Sequence, residues 1–103
     1  MRRTNLALAA LTLALPILGH AQAPDALHVR SWAAACANCH GTNGNAQPGN
    51  VALAGMGQSD IVQKMMDFKN GRRPATIMHQ LAKGYSDEQI AAIAGYFAAQ
   101  KKQ

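Results

Sequence analysis

Two cysteines and a histidine lie within five consecutive residues, Cys36-Ala37-Asn38-Cys39-His40. Thiols three positions apart on helical backbone face the same side, so both can form thioether bonds with the vinyl groups of one porphyrin. The imidazole that follows directly can bind the iron. This spacing is typical of c-type haem attachment. The sequence therefore predicts one covalently bound haem c, with Cys36 and Cys39 as attachment points and His40 as the proximal axial ligand.

Other uses of the two cysteines fit the chain less well. A thiol-disulfide redox motif is expected beside a βαβ pattern, and no segment of this chain alternates apolar and polar residues as a strand does. A zinc site needs four ligands, but the chain has only two cysteines and no second closely spaced ligand pair. A structural disulfide would leave His40 without a role. Haem attachment is the interpretation that uses all three side chains.

The start of the chain has the layout of a secretory signal sequence. Two basic residues, Arg2 and Arg3, precede an apolar stretch from Leu6 to Leu18, and small residues follow it. The stretch is short for a membrane span, and an uncleaved membrane anchor is the alternative. We therefore expect residues 1–21 to direct export to the periplasm and then to be removed.

Two cleavage positions satisfy the preference for small residues, after Ala21 and after Ala23. The second would leave Pro24 at the new N-terminus, so we favour the first. Residues 22–103 then form a single cytochrome c domain of about 80 residues, a size at which an apolar core alone is marginal. A buried haem would complete that core.

Net charge and motif content exclude several classes of protein. The formal net charge is +5, and two of the positive charges lie in the segment expected to be removed. Such modest basicity, without interleaved aromatic residues, argues against nucleic-acid binding. No arrangement of a nucleophile or a proton donor is evident, so we expect no substrate chemistry from this chain alone. We also expect no membrane span after cleavage.

Apolar spacing and capping residues predict an all-α fold of three to four helices around the haem. Asp25 is placed to cap a first helix that runs into the cysteine motif and ends at Gly41. From Gly41 to Gly57 the chain is rich in Gly, Asn and Pro and has no periodicity. A loop this long in a small domain is usually functional, and we expect it to wrap the haem.

The second half of the chain predicts three further helical segments. Ser59 is placed to cap a helix from Asp60 to about Asn70. A short segment follows, with Pro74 in its first turn and Gly84 at its end. The last helix has the clearest start, because Ser86 and Gln89 have the spacing of a capping box. Its apolar face consists of Ile90, Ile93, Ala94 and Phe97.

The order of these motifs resembles the small class I cytochromes c. The residues that carry the resemblance are Cys36–Gly41, Leu53-Ala54-Gly55, Phe68-Lys69-Asn70-Gly71-Arg72 and Ala94-Gly95-Tyr96-Phe97. The parts most similar to the haem subunit of flavocytochrome c sulfide dehydrogenase are three segments: Ala75-Thr76-Ile77-Met78, Ala82-Lys83-Gly84-Tyr85-Ser86 and, again, Ala94-Gly95-Tyr96-Phe97. The resemblance covers nearly all of residues 22–103 and implies a small class I cytochrome c fold. Several such flavocytochromes carry two haem motifs, whereas this chain has one.

The sixth iron ligand must come from the methionines. Met65 and Met66 lie on a predicted helix, where core packing is the usual role of this flexible side chain. Met56 lies between two glycines in the loop, has the steric freedom to reach a haem face, and stays a candidate. The resemblance assigns the role to Met78. A thioether sulfur stabilises ferrous iron and raises the reduction potential, which suits an electron acceptor.

The resemblance also implies a partner for the second ring nitrogen of His40. In the family a loop carbonyl accepts that N–H, which orients the ring and tunes its basicity. Relatives commonly have a proline two residues before Leu53-Ala54-Gly55, where this chain has Val51, and the nearby Pro48 is displaced by three residues. Either Val51 or Pro48 can supply the carbonyl, so the sequence leaves the acceptor open.

The remaining histidines and aromatic residues are expected to be structural. His28 is predicted at the surface, His79 points away from the position of Met78 on a helical turn, and Trp32 and Tyr96 fit plain core positions. A group of basic residues is expected on the side of the domain that carries Met78. This group is either a solvated face or a docking rim for an acidic partner. It consists of Lys64, Lys69, Arg72, Arg73 and Lys83.

Together these features predict a periplasmic monohaem c-type cytochrome that carries one electron at a time. The resemblance implies a more specific role, as the haem subunit that accepts electrons from a separate flavoprotein in a sulfide-oxidising complex. A free-standing diffusible cytochrome is the alternative. A haem peroxidase or gas sensor with an open sixth site is a further one, motivated by the flexible surroundings of Met56.

Overall fold

The described part of the chain, residues 24–103 of the computed structural model, consists of five α-helices and one 3-10 turn, with no strand. The predicted signal sequence, residues 1–21, and its two cleavage positions lie outside the described residues. The all-α prediction is confirmed. The elements are α1 (Ala26–Ala34), α2 (Ala37–His40), the 3-10 turn (Thr42–Gly44), α3 (Gln58–Lys69), α4 (Met78–Lys83) and α5 (Asp87–Ala98).

The predicted first helix is two helices in the structure. Its start is as expected, because the Asp25 carboxylate accepts a hydrogen bond from the backbone N–H of His28 at 2.9 Å. The chain then tightens at the end of α1, where the Cys36 N–H donates to the carbonyl of Ala33 at 3.0 Å. This shorter-range bond separates α1 from α2. The cysteine motif therefore lies on a helical turn of its own, which ends at Gly41 as predicted.

Two predicted helix starts are wrong. Helix α3 begins at Gln58, and Ser59 lies inside the helix without capping it; the residue before the helix is Gly57. The side chain of Gln58 instead donates to the carbonyl of Ala91 in α5 at 3.1 Å, so a tertiary contact ties down this end. Helix α4 begins at Met78, four residues after Pro74, which lies in the irregular segment between α3 and α4.

Helix α5 starts as its sequence predicts. The Ser86 hydroxyl accepts from the Gln89 N–H at 3.1 Å, and the Gln89 side chain accepts from the Ser86 N–H at 2.9 Å. Both bonds of a capping box are thus present. The expected apolar face is confirmed, since all four of its residues are buried: Ile90, Ile93, Ala94 and Phe97.

The core lies where α1 and α3 pack against α5. Ala33 of α1, Ile61 of α3 and Phe97 of α5 belong to one buried cluster. Burying a side chain such as Phe97 contributes about 1.5–3 kcal/mol to folding. The cluster is small, however, and large apolar side chains elsewhere remain exposed in the polypeptide alone. This distribution fits a domain whose core is completed by another apolar group.

Candidate haem site

The cysteine motif presents its two thiols differently. Cys36 is half-buried and packs against the core cluster, whereas Cys39 is exposed, and both are free thiols. Burial raises the pKa of the Cys36 thiol, because a thiolate loses solvation there. Cys39 lies in α2, and Cys36 is the residue directly before this short helix.

His40, the last residue of α2, is oriented by the loop. Its ring Nδ1 lies 2.6 Å from the backbone carbonyl oxygen of Val51. A carbonyl only accepts hydrogen bonds, so Nδ1 is the donor of this bond, and in the neutral ring Nε2 is then the nitrogen that can bind a metal. Of the two acceptors that the sequence left open, Pro48 and Val51, the structure places Val51 against the ring. Its side chain is not needed, since the bond uses the backbone.

Several backbone bonds hold the Val51 region in place. The carbonyl of Gly44 accepts both the Leu53 N–H at 2.8 Å and the Ala54 N–H at 3.1 Å. The Gly55 N–H donates to the carbonyl of Phe97 in α5 at 3.0 Å. These bonds tie the segment after Val51 to the 3-10 turn on one side and to the core helix on the other. They make the loop a defined support for His40.

The two candidate distal methionines lie in different surroundings. Met78 is half-buried at the first position of α4. Met56 is also half-buried but packs against the core cluster. It borders a cavity of about 310 Å³ that Asn45 and Lys102 help to line. Met65 packs against the core cluster as expected of a helical methionine.

Exposed apolar side chains flank the groups predicted to hold the haem. Val51, whose carbonyl contacts His40, is 63% exposed, while Ile77 and Leu81, on either side of Met78 in the sequence, are 52% and 47% exposed. Exposed large apolar groups next to the oriented imidazole, and next to Met78 in the sequence, fit a flat apolar cofactor such as a haem. The residues present therefore fit haem c.

His79 lies next to Met78 in the sequence. Its Nδ1 atom is buried and has no hydrogen-bond partner among residues 24–103.

The predicted basic group does not act as one set of free charges. The Lys69 ammonium donates to the Asp87 carboxylate at 3.0 Å and to the carbonyl of Tyr85 at 2.7 Å. Arg72 pairs with Asp67 at 3.1 Å. Within residues 24–103, the other three make no ion pair: Lys64, Arg73 and Lys83. The guanidinium of Arg73 instead lies 5.7 Å from the centre of the Phe68 ring.

Most of the side chains expected to be structural have structural contacts. His28 is exposed and contacts the Asp25 carboxylate at 2.7 Å, as a surface residue does. Trp32 and Tyr96 pack against the core cluster, and the Tyr96 hydroxyl donates to the Asn43 side chain at 2.7 Å. The sequence prediction missed the role of the Gly44 carbonyl. The only signal for it was the pair of glycines three residues apart, Gly41 and Gly44, at the start of the loop.

A family model described as cytochrome c matches residues 29–101. The chain belongs to the cytochrome c family, and its cofactor is covalently bound haem c. The all-helical architecture and the single cysteine motif agree with this membership.

Three curated relatives illustrate the range of the family that the chain matches. It is 44% identical to cytochrome c4 of Pseudomonas aeruginosa over 88% of this chain and 45% of the relative. It is 45% identical to the cytochrome subunit of sulfide dehydrogenase of Chlorobaculum tepidum over 60% of this chain and 56% of the relative. It is 37% identical to cytochrome c-553 of Helicobacter pylori over 82% of this chain and 90% of the relative. The chain thus spans about half the length of the first two.

Two features are absent from the described residues. No helix among residues 24–103 is long and apolar enough to cross a membrane. In the same part of the chain, no three His, Cys, Asp or Glu side chains converge as they would around a metal ion.

Proposed function

We propose that this chain is an exported electron carrier in which Cys36 and Cys39 hold the haem and His40 and Met78 bind its iron. The observation that carries the proposal is the 2.6 Å contact between the His40 ring and the Val51 carbonyl. It sets the tautomer that leaves Nε2 free for iron, as in histidine ligands whose other nitrogen is held by a second group.

Each residue has a defined task in this proposal. The haem supplies one-electron chemistry by cycling between ferric and ferrous iron. The Val51 carbonyl raises the basicity of the His40 imidazole and prevents the ring from rotating. The Met78 thioether favours the ferrous state and fills the sixth position. Cys36 and Cys39 keep the cofactor attached in both its oxidised and its reduced state. Cys36 packs against the core cluster.

A pair of methionine variants tests the assignment of the sixth ligand. In Met78→Ala we expect loss of the sulfur-to-iron charge-transfer band of the ferric protein and rapid binding of carbon monoxide to the ferrous protein, because the sixth position opens. Met56→Ala is the matched control, and it should keep the band. The opposite result, with the band lost only in Met56→Ala, would transfer the distal role to Met56.

We infer that the chain receives its electrons as the haem subunit of a periplasmic sulfide-oxidising flavocytochrome. The support is the resemblance of residues 75–86 to such subunits and the 45% identity to the relative named cytochrome subunit of sulfide dehydrogenase. Affinity purification of the tagged full chain from its native cells, followed by flavin fluorescence of the eluate, tests this inference. Recovery of a flavin-containing partner in equal amount is expected, and recovery of the cytochrome alone contradicts it.

A free-standing diffusible carrier is the second candidate. It is favoured by the match to cytochrome c-553, which extends over 90% of that relative. Here the tagged chain should elute alone at the size of a monomer, and the purified cytochrome should accept electrons from several soluble donors at comparable rates. A strong preference for one flavoprotein donor would count against this candidate.

Export itself has a direct test. Expression of the full chain in a bacterium that matures c-type cytochromes should give a periplasmic haem protein whose mass lacks the first 21 residues. A mass that retains residues 1–21, in the membrane fraction, would indicate the uncleaved anchor instead.

A further inference from the structure

The side chain of Asn45 makes two hydrogen bonds to the segment that follows α5. Its amide nitrogen donates to the carbonyl of Lys101 at 3.1 Å, and its amide oxygen accepts from the N–H of Gln103 at 2.9 Å. The primary amide thus pairs with one donor and one acceptor of the main chain, two residues apart. An aspartate at this position could make only one of these bonds, because an ionised carboxylate accepts hydrogen bonds but does not donate them.

Asn45 lies at the point where the 3-10 turn becomes the loop that supports His40. It follows Gly44, whose carbonyl holds the N–H groups of Leu53 and Ala54. Downstream, the same loop is attached to α5 through the bond from Gly55 to Phe97. The Asn45 side chain adds a third attachment, on the side of residues 101–103. Val51 lies between these attachments and projects its carbonyl to the ring of His40.

The space beside this attachment is not filled by atoms of residues 24–103. A cavity of about 310 Å³ is lined by Asn45, Ala52, Ala54, Met56 and Lys102, among others. Side chains therefore leave open space between this part of the loop and residues 102–103. Hydrogen bonds must supply the rigidity that close packing supplies elsewhere in a protein.

We propose that Asn45 is a positioning residue for the proximal iron ligand. By tying the start of the loop to residues 101–103, it keeps the Val51 carbonyl against His40 Nδ1 and so holds the imidazole in one orientation. The proposal rests on the proposed role of His40 as the axial ligand. It assigns a function at the iron to a side chain whose hydrogen bonds go to residues 101 and 103, not to His40.

The readout is the exchange of the His40 Nδ1 proton with solvent, measured by NMR on the reduced holoprotein. Exchange requires the bond to Val51 to open, so its rate reports how firmly the loop is held. In Asn45→Ala, which loses both bonds, we expect exchange about tenfold faster. Asn45→Asp keeps an acceptor for Gln103 but cannot donate to Lys101, and we expect a smaller acceleration.

Two controls separate positioning from a loss of global stability. Tyr96→Phe removes a 2.7 Å bond from α5 to Asn43, just before Gly44, and should leave the exchange rate within about twofold. The backbone N–H of the buried residue Ala94 in α5 reports global unfolding, and its exchange should change much less than that of His40.

Each outcome bears on the proposal. Equal acceleration at His40 and Ala94, or an unchanged His40 proton in both Asn45 variants, overturns it. If Asn45→Ala does not fold, the Asn45→Asp result alone decides in the same way. The underlying assignment is checked first on the unsubstituted protein: His40 ring protons without the large shifts expected beside haem iron would refute the proposed ligand, independently of Asn45.

Discussion

Replacing Gly44 with alanine tests how the loop supports the iron ligand. Gly44 has φ +78°, in the left-handed region, and a Cβ built there would lie 2.7 Å from the Ala54 nitrogen and 2.9 Å from Cδ1 of Phe97. The first of these atoms is backbone whose N–H is bonded to the carbonyl of Gly44 itself. Relief of the clash therefore requires movement of the loop or of the core helix.

The expected cost of Gly44→Ala has two parts. A residue with a Cβ in the left-handed region costs roughly 1–2 kcal/mol. Overpacking against well-packed neighbours adds about 1–3 kcal/mol. Gly49→Ala is the matched control, because Gly49 lies in the same loop at φ +92° but a Cβ there would meet no atom of the described residues within 4 Å. Gly49→Ala should lose only the free energy due to the left-handed backbone. The difference in unfolding free energy between the two variants therefore measures the cost of the clash alone.

Denaturant and thermal unfolding of the holoproteins, followed by helical circular dichroism, measure both costs. We expect Gly44→Ala to be less stable than Gly49→Ala by about 2 kcal/mol, or roughly 8–16 °C in Tm for a domain of this size. Because the displaced segment includes the neighbours of Val51, the His40 ring proton should also exchange faster in Gly44→Ala. Equal stability of the two variants would refute the reasoning, since it would mean that the close contacts at Gly44 do not constrain the loop.

Three further predictions follow from named contacts. Ser86→Ala should lower stability by about 1 kcal/mol in chemical denaturation because it removes the cap of α5, whereas Ser59→Ala, which removes no cap, should change it by less than about 0.5 kcal/mol. A hydrogen bond from Gln63, and after it one from the Arg72 guanidinium, lowers the pKa of Asp67. The contribution of Asp67 to stability is therefore present above the ordinary pKa of 3.8 and is lost as pH falls through the lower pKa of the folded protein. An NMR titration of Asp67 should show the lowered pKa, and Gln63→Ala should bring this pKa closer to 3.8. Lys83→Glu should slow electron transfer with an acidic partner several-fold at low ionic strength and weaken its salt dependence; an unchanged rate would indicate a solvated face.

Local sequence was sufficient wherever a few neighbouring residues decide the structure. The capping box at Ser86 and the apolar stripe of α5 involve contacts three or four positions apart, and both are present as predicted. The local signals at Ser59 and Pro74 predict the wrong starts for α3 and α4, which begin at Gln58 and Met78. Gln58 makes a tertiary bond to α5 at the start of α3, and the segment before Met78 is irregular.

The haem site also combines features that neighbouring residues determine with features that tertiary contacts determine. Two thiols and an imidazole within five residues are enough to predict the cofactor, because covalent attachment depends on a short local geometry. Which carbonyl meets His40 could not be read from the sequence, since Pro48 and Val51 lie in a loop without periodicity. Only the tertiary structure places Val51 there, through bonds from Gly44 to the segment after Val51 and from Asn45 to residues 101–103. The bonds of Asn45 join residues far apart in the chain, and a backbone acceptor such as the Val51 carbonyl depends on no particular side chain that the sequence could reveal.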